Sequence, residues 1–327
     1  MDEICVFAPA SVGNIGPGFD VLGMALSGMG DILFLRRSAS PEIVIEEIRG
    51  DGGQLPYQAD ENTAGIAAKA VLDHLNIKEG VSLRLQKAIP GSGLGSSAAS
   101  AVAGAYGTNR LFGGPLTKEA LIPMAAIAES KVSGALFFDN IGPSMIGGIT
   151  WSHPQTKEVV SLGWMDHAVI VIATPDFPLL TRDARSRLPS SVPMADFVSN
   201  MAYAAMMSWA VAKQDVIRFG RSIQDRVAEP ARASLIKGFG EVKRAALSAG
   251  ALGCSISGAG ASMFAVVEGL TQGEAVADAM KAAFGRHDVL AQVCITRIDQ
   301  AGARLVADDE HPLDAEGTAG LKADGGC

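Results

Sequence analysis

Short apolar runs dominate the first part of the chain. Ile4–Ala8, Val21–Leu26, Ile32–Arg37 and Ile43–Ile48 are rich in apolar and β-branched residues, and each predicts a strand. Val81–Gln86 alternates apolar and polar side chains at period two, the pattern of a half-buried strand. Asn62–Leu75 instead has helical spacing, with Asn62 placed as its N-cap. A run of small residues predicts a second helix over Ser96–Leu111, and a third follows over Thr117–Ser130, with Thr117 at its cap. Met145–Trp151 and Ala168–Ala173 read as strands. The polar stretch Ser152–Met165 between them, which contains Gly and Pro, reads as a domain boundary. The pattern then turns helical over Thr181–Leu188, Met194–Lys213 and Arg232–Ala249, and the Met and Ala face of Met201–Ala212 predicts core packing. Strands over Gly253–Ser257 and Ser262–Val267 flank a Gly-rich turn. A helix over Thr271–Phe284 and a strand over Ala291–Arg297 complete the order. Residues 307–327 are acidic and short of large apolar side chains, which predicts a disordered tail.

A length of 327 residues suits two domains, drawn here as 1–160 and 161–306. With 48% hydrophobic residues the chain can bury a sizeable core. A net charge of −8 lacks the basic footprint of an obligate nucleic-acid binder. No apolar run has the length of a membrane span, and the start MDEICVFAPAS carries acids where a signal peptide is basic. The four cysteines, Cys5, Cys254, Cys294 and Cys327, pair at neither metal-ligand nor redox spacing and read as free thiols. The expectation is a cytoplasmic protein with neither nucleic acid nor membrane as a partner.

The strongest local signal is PGSGLGSSAAS: Pro90, Gly91, Ser92, Gly93, Leu94, Gly95, Ser96, Ser97, Ala98, Ala99 and Ser100. Its glycines lie between a predicted strand and a predicted helix. Glycine admits positive φ and removes side chains, so successive N–H groups can turn inward. The first N–H groups of the helix lack intrahelical partners and face the same way, which makes an anion site. The string is not a Walker A loop, because no Lys follows the last glycine. It is not the dinucleotide GxGxxG, since Ser96 stands at the third glycine. Nor is it a GxSxG nucleophile elbow.

Ile89–Ala99 instead resembles, at every position, the ATP-binding signature of the GHMP kinases. Two further segments lie in the order of that family: APASVGNIGPGFDVLGMAL (Ala8–Leu26) and GCSISGAGAS (Gly253–Ser262). Asn14, Gly16, Pro17, Gly18, Phe19 and Asp20, with ENTAG at Glu61–Gly65, Ser133–Gly148, Thr181–Arg185 and Glu229–Arg232, are most similar to the branch that phosphorylates homoserine. The resemblance implies an α+β, two-domain fold. Its N-terminal domain has a left-handed βαβ unit, against the usual right-handed rule, and its C-terminal domain is ferredoxin-like. It also implies ATP and Mg²⁺ as cofactors, with Ser97 and Glu129 as metal ligands. The glycine loop and Asn62 would bind the nucleotide. Asp139 and Asn140 would be catalytic, and Asn14, Asp20, Thr181, Arg185, Arg232, Gly258 and Gly260 would hold the substrate. Homoserine, a zwitterion with a hydroxyl, suits such a set: arginine offers its carboxylate a planar fork, and Asp20 offers its ammonium a charge. A homodimer is usual in such families.

One departure concerns Phe137. Homoserine kinases commonly carry a His two residues before the Asp of the DN pair, and here none of the five histidines lies between Pro90 and Gly148. A histidine base from this region is absent. Ala261, where Pro is frequent, is a milder departure. On these residues, a kinase of another hydroxylated metabolite and a non-catalytic sensor stand as alternatives.

Overall fold

The computed structural model describes residues 2–89, 91–133 and 136–306. Pro90 and the expected tail lie outside the described residues. The first layer is a mixed sheet of seven strands in the order β11-β1-β2-β4-β3, with β5 on β2 and β6 on β5. The strands are β1 (Glu3–Gly13), β2 (Leu22–Ser38), β3 (Ile43–Arg49), β4 (Gly80–Gln86), β5 (Ile149–His153), β6 (Glu158–Gly163) and β11 (Arg304–Leu305). Only β3 and β4 run parallel, joined through α1 (Thr63–His74); every other neighbouring pair is antiparallel. The helices α1, α2 (Ser96–Leu111) and α4 (Phe138–Ile146) lie against this sheet, and α3 (Lys118–Ser133) packs on those helices. The Ala-rich face of α2 lets the helices pack at short range, and Ala98, Ala99, Val102 and Ala105 are all in this core.

The second layer is the antiparallel sheet β10-β7-β9-β8. Its strands are β7 (Val169–Pro175), β8 (Gly253–Ile256), β9 (Met263–Val267) and β10 (Ala291–Thr296). Between β7 and β8 run α5 (Thr181–Ser186), α6 (Met194–Lys213), α7 (Val216–Arg221), α8 (Ala228–Arg232) and α9 (Phe239–Ser248); α10 (Leu270–Gly285) links β9 to β10. A sheet order of 4-1-3-2 in a β-α-β-β-α-β chain is the ferredoxin-like arrangement. The expected α+β class and two-part architecture therefore hold.

Several elements differ from the sequence reading, each for a local reason. Leu22–Leu26 and Ile32–Arg37 fall on one long strand: pairing with β1 breaks at a bulge, where Leu26–Met29 oppose no residue of β1 and Gly28 is left-handed, and resumes at Gly30. Met145 and Ile146 close a helix, and the following strand starts only at Ile149; the apolar run spans both because each element is buried. Ser152–Met165, read as a domain boundary, holds the end of β5, the hairpin turn and the return strand β6, so residue 160 lies inside β6. Arg232–Ala249 is broken between α8 and α9, with Gly238 at φ 83 capping the second piece. The face of α6 expected in the core divides: Met207, Ala210 and Val211 are buried, whereas Met201, Met206 and Trp209 are exposed. Cys254 is a buried thiol, but Cys294 is disulfide-bonded, so the reading of four free thiols fails there. Spacing along the chain says nothing about pairing in space. Among the described residues no helix is long and apolar enough to cross a membrane.

Candidate active site

A cleft of about 200 Å³ opens where the two layers meet, lined by residues of both. Its floor on one side is the loop between β4 and α2. Gly95 is the N-cap of α2 with φ 66 and supplies no side-chain bond to the first turn, so the leading N–H groups are uncapped by it. Gly91, Ser92, Gly93, Gly95, Ser96, Ser97 and Ala98 line the cleft. A side chain at Gly95 is precluded: its Cβ would lie 2.2 Å from Ser11 Oγ. Below the loop the Lys87 ammonium donates to Ser96 O (2.9 Å) and Ser100 Oγ (2.8 Å), and pairs with buried Asp31. The second layer holds the loop from the other side. Ser257 Oγ donates to Gly93 O at 2.6 Å, and the Ala261 N–H donates to Ser92 Oγ at 2.9 Å. The C-terminal glycine turn thus fixes the glycine loop between β4 and α2.

The opposite wall starts where β1 ends. Asn14 and Asp20 both take left-handed backbone, with φ 68 and φ 56, a conformation that Asn and Asp tolerate better than most residues. The Asn14 amide donates from Nδ2 to Gly258 O (2.8 Å), and its Oδ1 accepts the Asp20 N–H (3.0 Å). Its own backbone N–H donates to Asp139 Oδ2 at 3.1 Å. Asp139 sits in the first turn of α4, almost fully buried. Burial first, and the neighbouring Asp20 charge second, push its pKa up to about 7, against the Asn14 N–H and the Arg185 charge, which pull it down. Next to it Asn140 Oδ1 accepts from Ser11 Oγ at 3.0 Å.

Two cations face this wall. Arg185, on α5, grips Asp20 with both amino groups, at 2.6 and 3.3 Å. Its guanidinium lies over the Phe137 ring at 4.6 Å and the Phe19 ring at 5.6 Å. Arg232 is buried at the end of α8, donates to Ala184 O (3.3 Å) and Gly258 O (3.1 Å), and lies 5.2 Å from the Phe19 ring. Desolvation lowers its pKa, yet an arginine stays protonated. Asp225 caps α8 by accepting the N–H groups of Val227, Ala228 and Glu229, which fixes the helix that carries Arg232.

Of the residues singled out in the sequence, Asn14, Asp20, Glu129, Asp139, Asn140, Thr181, Arg185, Arg232 and Gly258 meet the glycine loop in this one cleft. Leu94 and Ala99 point into the cores instead, and Ser100 lies beneath the loop with Lys87 and Asp31. Asn62 is spent as the N-cap of α1: Oδ1 accepts the Ala64 N–H (3.0 Å) and Nδ2 donates to Pro56 O (3.0 Å). Gly260 stands behind the turn, its N–H bonded to Ser257 O. Sequence reasoning missed the stacking role of Phe19 and Phe137, and the wall positions of Leu179 and Ala259. An aromatic next to Asp20 and another two residues before the Asp139–Asn140 pair was the available signal. The Lys87–Asp31 pair had none, since its partners are distant in sequence.

The chain matches the family profile described as GHMP kinases N terminal domain over residues 62–148, and that described as GHMP kinases C terminal over residues 207–286. It belongs to the GHMP kinase family. It is 37% identical to homoserine kinase of Chlorobaculum tepidum, over 94% of this chain and 99% of that protein. It is 41% identical to homoserine kinase of Arabidopsis thaliana, over 93% and 85% respectively. Among solved structures it superposes on homoserine kinase from Cytophaga hutchinsonii with a TM-score of 0.90 at 38% identity, covering 94% of this chain and 98% of that one. Within the family the chain falls among the homoserine kinases.

This setting gives the loop a direct test. A Cβ on Gly93 would lie 2.5 Å from Ser257 O and 2.9 Å from Gly260 O, and Gly93 holds φ 89. Backbone on the far side cannot give way as a side chain does, so Gly93→Ala must push the loop off the C-terminal turn. We expect KM for ATP to rise about tenfold or more, the equivalent of about 1.4 kcal/mol. ADP-release kinetics at saturating acceptor check it.

Proposed function

We propose that the protein transfers the γ-phosphoryl group of ATP to the side-chain hydroxyl of L-homoserine, giving O-phospho-L-homoserine and ADP, a step of threonine biosynthesis. The observation that carries this reading is the Arg185–Asp20 pair at the cleft wall. A guanidinium and a carboxylate that bind each other in the resting protein are the complement of a zwitterion. The substrate carboxylate takes the place of Asp20 on Arg185, and the substrate ammonium takes the place of Arg185 on Asp20. An uncharged sugar breaks the same pair and replaces neither half.

Phosphoryl transfer asks mainly for positioning and charge stabilisation. The N–H groups of the Gly91–Ala98 loop and the α2 N-terminus suit the phosphates. Ser97 hydrogen-bonds Glu129, whose carboxyl is raised above its usual range by burial despite Ser97 and the Lys87 charge. Hydroxyl and carboxylate oxygens beside a phosphate cradle fit Mg²⁺, which takes few protein ligands and keeps phosphates and water as the rest. Among the described residues no group of three or more acidic, His or Cys side chains gathers to hold a metal alone, in keeping with a metal shared with the nucleotide. Ser97 and Glu129 would hold such a cation, which would supply charge neutralisation to the phosphates. Asp139, poised near neutrality, accepts the hydroxyl proton as the substrate oxygen forms its bond to the γ-phosphorus and the bond to ADP breaks.

Phe137 stands where the resemblance to the family led to the expectation of a His, which motivates a panel rather than one substrate. ADP release with Mg·ATP is measured against L-homoserine, mevalonate and galactose. Turnover of homoserine well above the others is expected. Folded protein that turns over mevalonate or galactose in preference, or nothing, overturns the assignment.

A further inference from the structure

Given ATP as donor and an acceptor held by Arg185, as proposed for this cleft, we infer that Ser92 is a positioning residue that couples the two binding events. Its one hydroxyl joins the glycine loop to the segment that carries Arg185. Ser92 Oγ accepts two backbone N–H groups of the second layer, that of Leu179 at 3.2 Å and that of Ala261 at 2.9 Å. The Ser92 carbonyl accepts a third, from Ser262, at 3.2 Å. A single residue of the loop thus holds both the C-terminal glycine turn and the run into α5. Leu179 precedes Thr181 by two residues and Arg185 by six, so its N–H fixes where the acceptor wall begins. Its side chain fills the same corner: a Cβ on Gly260 would lie 3.2 Å from Leu179 Cδ2.

The valence of the hydroxyl gives the link its direction. A serine offers two lone pairs and one proton. The two N–H groups take the lone pairs, and among the described residues none accepts the proton. Ser92 lines the cleft beside Gly91, Gly93 and Ser97, so the remaining donor suits a phosphate oxygen of the nucleotide. A hydroxyl that donates to an anion becomes the better acceptor, because chained hydrogen bonds polarise one another. Nucleotide on the loop then tightens the Leu179 bond, and with it the start of α5. By linkage, an acceptor seated on α5 strengthens nucleotide binding by the same factor.

α5 is a segment on which one such bond tells. It is six residues long, and Leu180 gives it no side-chain cap. Ala184 is its buried residue, and among the described residues α5 makes no extended contact with another helix or strand. Its ties are hydrogen bonds: the Leu179 N–H to Ser92, Arg232 to Ala184 O at 3.3 Å, and Arg185 to Asp20 at 2.6 Å. Elements with few buried contacts sit at the low end of local stability, where a single bond shifts the population of the ordered form. An acceptor that separates Arg185 from Asp20 removes one tie at the moment of binding. The Ser92 bond is then what keeps the N-terminal end of α5 in register with the phosphates.

Hydrogen–deuterium exchange of the full chain, read on the peptide spanning residues 177–186, tests this. The probe is Mg²⁺ with the β,γ-imido analogue of ATP, at a concentration that titration shows to saturate each protein. In the wild type the nucleotide should slow exchange of that peptide about fivefold or more, and in Ser92→Ala it should not. Ser92→Thr keeps the hydroxyl and should restore the slowing. Affinity gives a second readout. The analogue should tighten binding of the acceptor that the panel selects by about five- to tenfold in the wild type, and leave it unchanged in Ser92→Ala. Wild-type protein whose exchange the nucleotide does not slow overturns the inference. So does folded Ser92→Ala in which the slowing is as large as in the wild type, even with both rates raised, since that is a structural role alone. The exchange readout needs no acceptor, so it decides on Ser92 whatever the panel decides on homoserine.

Discussion

Asp139→Asn will lower kcat by roughly 10²–10⁴-fold while leaving the fold intact, the loss expected for a positioned proton acceptor. The amide keeps the shape and still accepts the Asn14 N–H, but it takes up no proton. In the wild type the acceptor must be ionised, so kcat/KM should climb with pH and level off above about 7, where burial and Asp20 have moved the Asp139 pKa. The variant loses that climb. Stability runs the other way. The folded carboxyl holds its proton up to about 7, whereas the unfolded one releases it near 3.8, so between these values the unfolded chain binds fewer protons. Unfolding is therefore favoured as pH rises across that window. The neutral Asn side chain is exempt, and Asp139→Asn should melt a few degrees above the wild type at pH 8 and not at pH 4. A flat pH–rate profile in the wild type, or no gain in Tm at pH 8, contradicts the assignment of Asp139 as a strained acceptor.

Arg185→Ala is expected to raise KM for homoserine by about 30- to 100-fold with a much smaller change in kcat. The pair with Asp20 is part-exposed, so the cost is placed at the low end of that for truncating one member of a buried charge pair. Arg185→Lys keeps the charge but loses the planar fork and its seat on Phe137, and should fall between. KM for ATP should hold in both variants. Initial-rate kinetics in each substrate separate these effects, and a shift in the ATP term alone contradicts the role given to Arg185.

The glycine loop and α2 were legible in the chain because their signals are local. Three glycines between a strand and a run of small residues dictate a turn and a helix N-terminus wherever the rest of the chain goes. α6 was legible in length for the same reason, yet not in facing: a stripe of Met and Ala has the same period whether it meets a core or water. Asn62 shows a related ambiguity. A helix-capping Asn and a ligand-binding Asn look identical in sequence, and only its two internal bonds decide for the cap. The cleft was recovered through motifs rather than periodicity. Its aromatic seats, Phe19 and Phe137, had to be seen in space, since a ring that supports a cation has no spacing rule. Phe137 gives the Arg185 guanidinium an apolar ring face at 4.6 Å.

The strand β11 is two residues long, but it pairs with β1 through Val6–Leu305 and Phe7–Arg304 and returns the chain to the sheet it left at Gly163. The ferredoxin-like part is therefore an insertion, tied to its host by two crossings, at 164–168 and at 297–303. Two points of attachment define a line. Rotation about that line is opposed by the core that the two parts share, in which Val12 and Met24 are buried with Ile172 and Phe264, so the walls of the cleft are held in register where a single tether would let them swivel.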